Sequence, residues 1–520
     1  MNQSAYPPPI VVSPSGNWDG NDGSWSTFIV RVGSPEQLFR VLPSTADSKT
    51  LVPMPEGCTE SDPEDCGESR GVFVVDGHPS NGFQHNRSTT WNQVGLYKLG
   101  LEENLNYTGA ALYGLDNLGL NVPQSGGVTL PRQIVGGVAT KDYYLGHFGL
   151  GDRPTNFSDS EHPQPSYLRT LRDEEKIPSM SYGYTAGASY RTPQITGSLV
   201  LGGYDETRRK NIETSFPFDP SGSHMISLTV QSIDTTNSLL GPMTVHDTPF
   251  YVNIDSTIPH LWLPVQACEK FEQVFGLQYD PTTQLYLVNS TSHDRLKQMN
   301  PSINFQLGAS RDPNRVVNIN FPYGAFDLQA SHPFYPNATN YFPIRRANET
   351  QFTLGRTFLQ EAYLITDYEN QNFSISQAAF ETPLQERIVP IVSKDYANRS
   401  TNASKTYIGS SALSNPAIVG ISIGSFAFIL VVVAAFYFFF KIKKDTAESK
   451  SMQPKVEQSS SESGSNRVEV PDNGQCEMDA VPTLRELNGS EVYMHEVDAW
   501  HAAEVAGSTP LPSGAHEMST

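Results

Sequence analysis

Positive charge is scarce in this sequence. Against 55 Asp or Glu stand 35 Lys or Arg, a net charge of −20 over 520 residues. No basic patch interrupts the acidity, which excludes nucleic acid as a partner. The tail 441–520 holds seven Lys or Arg against fourteen Asp or Glu, leaving about −13 for residues 1–440, so acidity is spread over both parts. Cysteine is nearly as scarce, with four residues. None of them stands in zinc-ligand spacing, and no glycine-rich phosphate loop occurs anywhere, so neither a metal nor a cofactor is expected. His147 and His260 have no partner at i,i+4 and are expected to be packed or surface residues rather than ligands. The opening stretch MNQSAYPPPIVVSPSGNWDG lacks a basic start and an apolar run, so it is not a secretory signal peptide. A missing leader is the expectation, in preference to late insertion of a downstream helix.

Long apolar runs are absent with one exception. Residues 417–440 read AIVGISIGSFAFILVVVAAFYFFF without a charge. At about 1.5 Å per residue this helix would exceed a hydrocarbon core of roughly 30 Å and span a bilayer with some tilt. Lys441, Lys443 and Lys444 follow at once, whereas Lys405 is the sole basic residue just upstream. Basic flanks stay in the cytoplasm, which places the C-terminus inside and the larger N-terminal part outside. Gly420 and Gly424 form a Gly-x-x-x-Gly that either pairs helices or is simply tolerated by lipid packing. Asn-x-Ser/Thr acceptors begin at Asn86, Asn106, Asn156, Asn289, Asn337, Asn348, Asn372, Asn398 and Asn402, all upstream of the span, in keeping with an extracellular or lumenal face.

One motif occurs twice, once damaged. FYVNIDSTIPHLWLP at 250–264 aligns without a gap on FRVLPSTADSKTLVP at 39–53, matching Phe250 with Phe39, Val252 with Val41, Ser256 with Thr45 and Pro264 with Pro53. A repeated strand, polar turn and apolar segment implies two homologous lobes facing each other. The segment WSTFIVRVGSPEQLFRV together with the damaged motif resembles the first strands of pepsin-like aspartic peptidases, whose catalytic turns read Asp-Thr-Gly or Asp-Ser-Gly. YLGHFGLG at 144–151, GSLVLGGYD at 197–205 and FTLGRTFLQEAYLITDYENQNFSIS at 352–376 follow the same order, so the resemblance spans roughly 20–383. It implies a mainly β, bilobal fold, with Phe148-Gly149 and Leu354-Gly355 supporting the two turns, and a disulfide between Cys58 and Cys66. Cys268 is then left as a buried thiol or an intermolecular candidate, the buried thiol being preferred. Cys476 lies beyond the membrane.

Family chemistry requires two carboxylates so close that they share a proton, one acting as base on water and the other as acid. Here Asp255 keeps its place while Ser44 replaces the first carboxylate. The glycine of each turn is replaced by Ala46 and Thr257, and the next Ser or Thr by Asp47 and Ile258. Thr45, Asp47, Ser256 and Thr257 are expected to line the cleft, with Asp47 turned away from it and Ser44 facing Asp255. Tyr107 stands in for the family's flap tyrosine only across a gap. The expectation is a pepsin-like fold without the pepsin reaction, with Asp255 bonded to the backbone of its own turn, so that Asp255→Asn changes little.

The chain then divides into a Pro-rich lead-in (1–19), two β lobes (20–205 and 206–383), a glycosylated stalk (384–416), the membrane helix (417–440) and a disordered acidic cytoplasmic tail (441–520). Three functions follow. The first is a membrane-anchored, catalytically inactive peptidase-like protein whose cleft binds peptide or a cell-surface ligand. The second is a working aspartic endopeptidase with an atypical site. The third is a sensor or adaptor with a cytosolic partner on its tail, where PTLRELNGSEVYMHEVDA looks like a docking motif.

Overall fold

Strands dominate the chain, as the alternation of Val, Ile, Phe and Tyr with polar residues and the many Gly and Pro turns predict. The computed structural model describes residues 6–396 apart from 158–161, 211–213, 221–224, 310–311 and 382–384, together with 492–493. The two copies of the repeated motif lie in two separate eight-stranded sheets. In the first, the order runs 14–19, 25–32, 37–44, 146–149, 50–53, 129–138, 110–120 and 92–98. In the second, 312–322, 302–309, 227–238, 250–254, 353–354, 261–263 and 344–346 follow one another, with 241–246 paired to 227–238. A third sheet, of six strands, takes 181–185 and 198–201 from the first half and 362–367 and 372–377 from the second.

That third sheet corrects the expected boundaries. Ile10–Val12 is its edge strand, paired with Leu199–Leu201, and Pro14–Asp19 begins the first eight-stranded sheet, so residues 10–19 belong to the fold and are no lead-in. Prolines in edge strands disguised them, since an edge leaves the missing N–H without consequence. At the other end Ile388–Pro390 pairs with Gly203–Asp205. Beyond it, Ser393 and Asp395 bond Arg172, whose guanidinium lies 5.0 Å from the centre of the buried Tyr396 ring. The folded domain thus reaches Tyr396, and any stalk starts beyond it. Residues 417–440, the Gly420 and Gly424 pair and nearly all of the tail lie outside the described residues; among those described, no helix is long and apolar enough to cross a membrane. Val492–Tyr493 runs parallel to Thr155–Asn156.

Cys58 and Cys66 are bonded, as the resemblance implied. The loop they close is tied to the second half of the chain, because the Asp62 carboxylate accepts from Lys141 Nζ at 2.5 Å and from His332 Nε2 at 2.7 Å. Cys268 sits on the inner face of the helix Val265–Phe275 with Ala267, Phe271, Val274 and Phe275, the spacing of one helical stripe. Its thiol donates to Arg345 O at 3.3 Å, and burial pushes its pKa up to about 12. It is a packed thiol, and the intermolecular alternative has no exposed sulfur to work with.

Candidate functional site

Each copy of the repeated motif delivers its turn to the same place by the same device. Strand Gln37–Ser44 runs parallel to Gly146–Gly149, which pairs antiparallel with Thr50–Pro53; likewise Phe250–Ile254 runs parallel to Thr353–Leu354, which pairs antiparallel with Leu261–Leu263. The inserted strand separates the two arms of the motif and leaves the turn projecting. The glycines that follow are sterically required. A Cβ on Gly149 would lie 2.6 Å from Lys49 N and O, and one on Gly355 would lie 2.4 Å from His260 O and 2.5 Å from Ile258 O.

Where the turns meet, they are bonded reciprocally. Thr45 N donates to Ser256 Oγ and Ser256 N to Thr45 Oγ1, both at 3.0 Å, while Ser256 Oγ donates to Pro43 O at 2.6 Å. Thr45 and Ser256 therefore brace the junction beneath the cleft. Below them the buried Arg356 guanidinium donates to Ser256 O at 2.9 Å and Thr257 O at 2.7 Å. Sequence patterns missed this cation, although it directly follows the legible Leu354-Gly355 pair.

The two departures from the family pattern compensate each other. Ser44 Oγ and Thr257 Oγ1 lie 2.6 Å apart, and Asp47 N donates to Ser44 Oγ at 3.1 Å. A serine hydroxyl and a threonine hydroxyl satisfy one another, both buried. Asp47 is held by its own neighbours and stands in the wall of the adjacent cavity: its Oδ1 accepts from Ser48 N at 2.8 Å and pairs with Lys49 Nζ at 2.5 Å. Asp255 is fully buried, and its Oδ1 accepts from Thr257 N at 2.8 Å within the turn. Its Oδ2 meets no N–H or O–H donor.

The group that reaches Asp255 instead is a carboxyl no motif pointed to. Glu102 lies in the loop joining strands Asn92–Lys98 and Ala110–Leu120 and is hydrogen-bonded to Asp255. Two carboxylates cannot bond each other without a proton between them, so the pair holds at least one. Gln351 Nε2 donates to Glu102 Oε2 from the other side. Burial, and after it the charge of Asp255, raises the Glu102 pKa well above the ordinary carboxyl range. A carboxyl kept protonated in the fold, yet free to ionise when unfolded, stabilises the native state fully below its ordinary value. That stability is lost as pH climbs towards the raised value.

The rest of the loop closes over the same spot. Leu105 packs with Ile258, Trp262 and Ala347, Asn348 Nδ2 donates to Asn104 O at 2.6 Å, and Tyr143 Oη donates to Leu101 O at 2.6 Å. Tyr107 lies inside the loop against Tyr143 and Trp262, at centroid distances of 5.7 and 6.3 Å, as a packing residue of this hairpin. Beside the loop a cavity of about 470 Å³ remains, lined among others by Thr45, Ala46, Lys49, Glu102, Arg153 and Tyr368. Its size suits part of a peptide.

His147 and His260 are both buried. Burial, then the Arg356 charge, pushes His147 down to about 3; burial, then Arg345 and Arg356, pushes His260 well below the ordinary range. Both rings are neutral packing groups. Of the glycan acceptors, Asn86, Asn106, Asn289, Asn337 and Asn348 are exposed and Asn372 is half-buried. Asn156 is a correction, since its side chain is fully buried in strand Thr155–Asn156 and presents no amide to a glycan. Asn398 and Asn402 lie outside the described residues.

Comparison with known proteins agrees with the strand-turn architecture. The eukaryotic aspartyl protease family model matches residues 27–378. The chain is 24% identical over 364 residues to secreted aspartic protease 8 of Candida albicans, covering 70% of this chain and 78% of that protein. It is also 24% identical over 374 residues to aspartic proteinase yapsin-3 of Saccharomyces cerevisiae, covering 70% of this chain and 68% of that one.

Proposed function

The chain belongs to the eukaryotic aspartyl protease family, and from that premise we propose that it is a membrane-anchored member whose ectodomain binds peptide in its cleft without hydrolysing it. The observation that carries this reading is the Ser44–Thr257 hydroxyl pair at 2.6 Å, standing where the first carboxylate of the dyad would be needed. A serine hydroxyl neither holds negative charge nor supplies an acid at these pH values, so the proton-sharing dyad cannot assemble from the two turns. The cavity beside Glu102 supports retained binding.

The full-length protein in detergent is expected to bind fluorescein-labelled casein peptides near neutral pH and to release no pepstatin-sensitive product from pH 3 to 7. Pepstatin-sensitive cleavage that vanishes in Asp255→Asn would instead make it a working peptidase. Asp255→Asn has a second readout, which replaces the expectation of little change. Removing one of two facing carboxyls lets Glu102 ionise at less cost. Stability at pH 7.5 should rise above that of the parent, with no difference at pH 4. Chemical denaturation at the two pH values checks this.

Residues 417–440 supply the anchor, and the Cys58–Cys66 bond suits an oxidising compartment. A secretory route also accords with a relative named as secreted. A two-residue pairing such as that of Val492–Tyr493 is a weak association, and a membrane crossing between its partners would forbid it. Glycan mapping separates the two arrangements: glycan is expected at Asn289 and Asn337 and none at Asn488. The reverse pattern would invert the topology. A cytosolic partner on the tail would bind residues outside those described.

A further inference from the structure

Building on the reading that the cleft binds rather than cuts, we propose that loop 99–109 is a lid over that binding site, held shut by one proton shared between Glu102 and Asp255. Peptide is then excluded in acid and admitted near neutral pH. Three observations converge on this. The loop is docked across the junction through Leu105, Asn104 O and the Glu102 carboxyl, and Asp255 beneath it is fully buried. Asp255 Oδ2 has no fixed donor, so the Glu102 contact closes only with a proton in it. Glu102 itself holds a left-handed backbone at φ 52°, a conformation that costs a non-glycine residue free energy and that the docking must maintain.

The charges around the lid all point the same way. From the second turn Asp255 faces Glu102 with like charge, and from the strand edge Gln351 offers a neutral amide. The Tyr143 phenol, also near Glu102, is driven up by burial and stays neutral. On the lid itself Glu103 is exposed, and Lys98 is exposed where the strand ends. Across the cavity Lys49 is committed to Asp47, and Arg153 stands on the wall. Once the shared proton leaves, two carboxylates face each other in a buried site, and their repulsion works against the lid's remaining anchors: Leu105 and Tyr107 packed on Trp262, Leu101 O bonded by Tyr143, Asn104 O bonded by Asn348, and Thr108 bonded to Asp142.

Hydrogen exchange of the amides of 99–109 in the full-length protein tests the lid directly, after correction for intrinsic exchange rates. Protection at pH 4.5 should fall on going to pH 7.5, by up to about tenfold per pH unit once Glu102 begins to ionise, because opening releases one proton. Glu102→Gln carries no proton to lose and donates an amide hydrogen to Asp255, so its lid should stay protected at both pH values. Leu105→Ala should weaken protection equally at both, separating packing from protonation. Equal protection of the wild-type lid at both pH values, or the same pH profile in Glu102→Gln, overturns the proposal. So does casein-peptide binding of equal affinity at pH 4.5 and 7.5. A pH-dependent lid in a protein that binds no peptide at any pH would sustain the latch and remove the binding function instead.

Discussion

Ser44→Asp is expected to restore no peptide hydrolysis and to destabilise the protein by about 3–5 kcal/mol near neutral pH, the usual cost of an uncompensated buried charge. Ser44 is fully buried, and its hydroxyl is held between Thr257 Oγ1 and Asp47 N. A carboxyl there would be the third in one site, beside Asp255 and Glu102, with the cation Arg356 already donating to Ser256 O and Thr257 O. Its pKa in the fold would be raised, so the cost is small below the ordinary Asp value and grows as pH rises above it. Catalysis would still fail for a separate reason. The Thr257 side chain occupies the space a glycine leaves open, and Glu102 and Leu105 fill the approach to Asp255, where misplacement near 1 Å costs about a hundredfold. Pepstatin-sensitive hydrolysis by Ser44→Asp alone, or equal stability of mutant and parent at pH 7.5, would refute the account.

The sequence made the framework legible wherever the cause is local. The repeated Phe-x-Val strand and polar turn, and the apolar residue directly before Gly149 and Gly355, announce themselves through period and glycine placement. The mainly β class followed from the same signals. Strands Ile10–Val12 and Ile388–Pro390 did not, because each is an edge strand next to proline and is stabilised by a partner more than a hundred residues away. Glu102 was illegible for a deeper reason. In GLEENLNYTG it is one acid among several polar loop residues, and only the docking of Leu105 on Ile258 and Trp262 brings it to Asp255. Likewise the Ser44 and Thr257 substitutions read separately as two losses. Their hydroxyls show that together they form one closed contact. A damaged motif predicts what chemistry is lost; what replaces it depends on tertiary neighbours.

The largest structural penalty is expected at Gly355→Ala, which should lower stability by about 3 kcal/mol or more and abolish lid protection along with it. The backbone of Gly355 is extended, at φ −77° and ψ −165°, so no conformational preference is at stake. What matters is that the added methyl would lie 2.4 Å from His260 O and 2.5 Å from Ile258 O, and both are backbone atoms of the arm that follows the Asp255 turn. Neither can swing aside as a side-chain end could. Gly355 N also donates to His260 O at 3.0 Å, and Arg356 N to Ile258 O at 2.8 Å, so any retreat breaks the bonds that hold strand Thr353–Leu354 against the turn. Asp255 N donates to Leu354 O at 3.1 Å, which carries the displacement straight to the carboxyl that Glu102 grips. Gly77→Ala is the control. It meets nothing within 4 Å but sits at φ +77°, so it should cost only the roughly 1–2 kcal/mol of a left-handed alanine and leave the lid untouched. Urea denaturation of the two variants beside the parent measures the difference. Equal midpoints for Gly355→Ala and Gly77→Ala would mean that the turn of Asp255 is not held by close backbone contact.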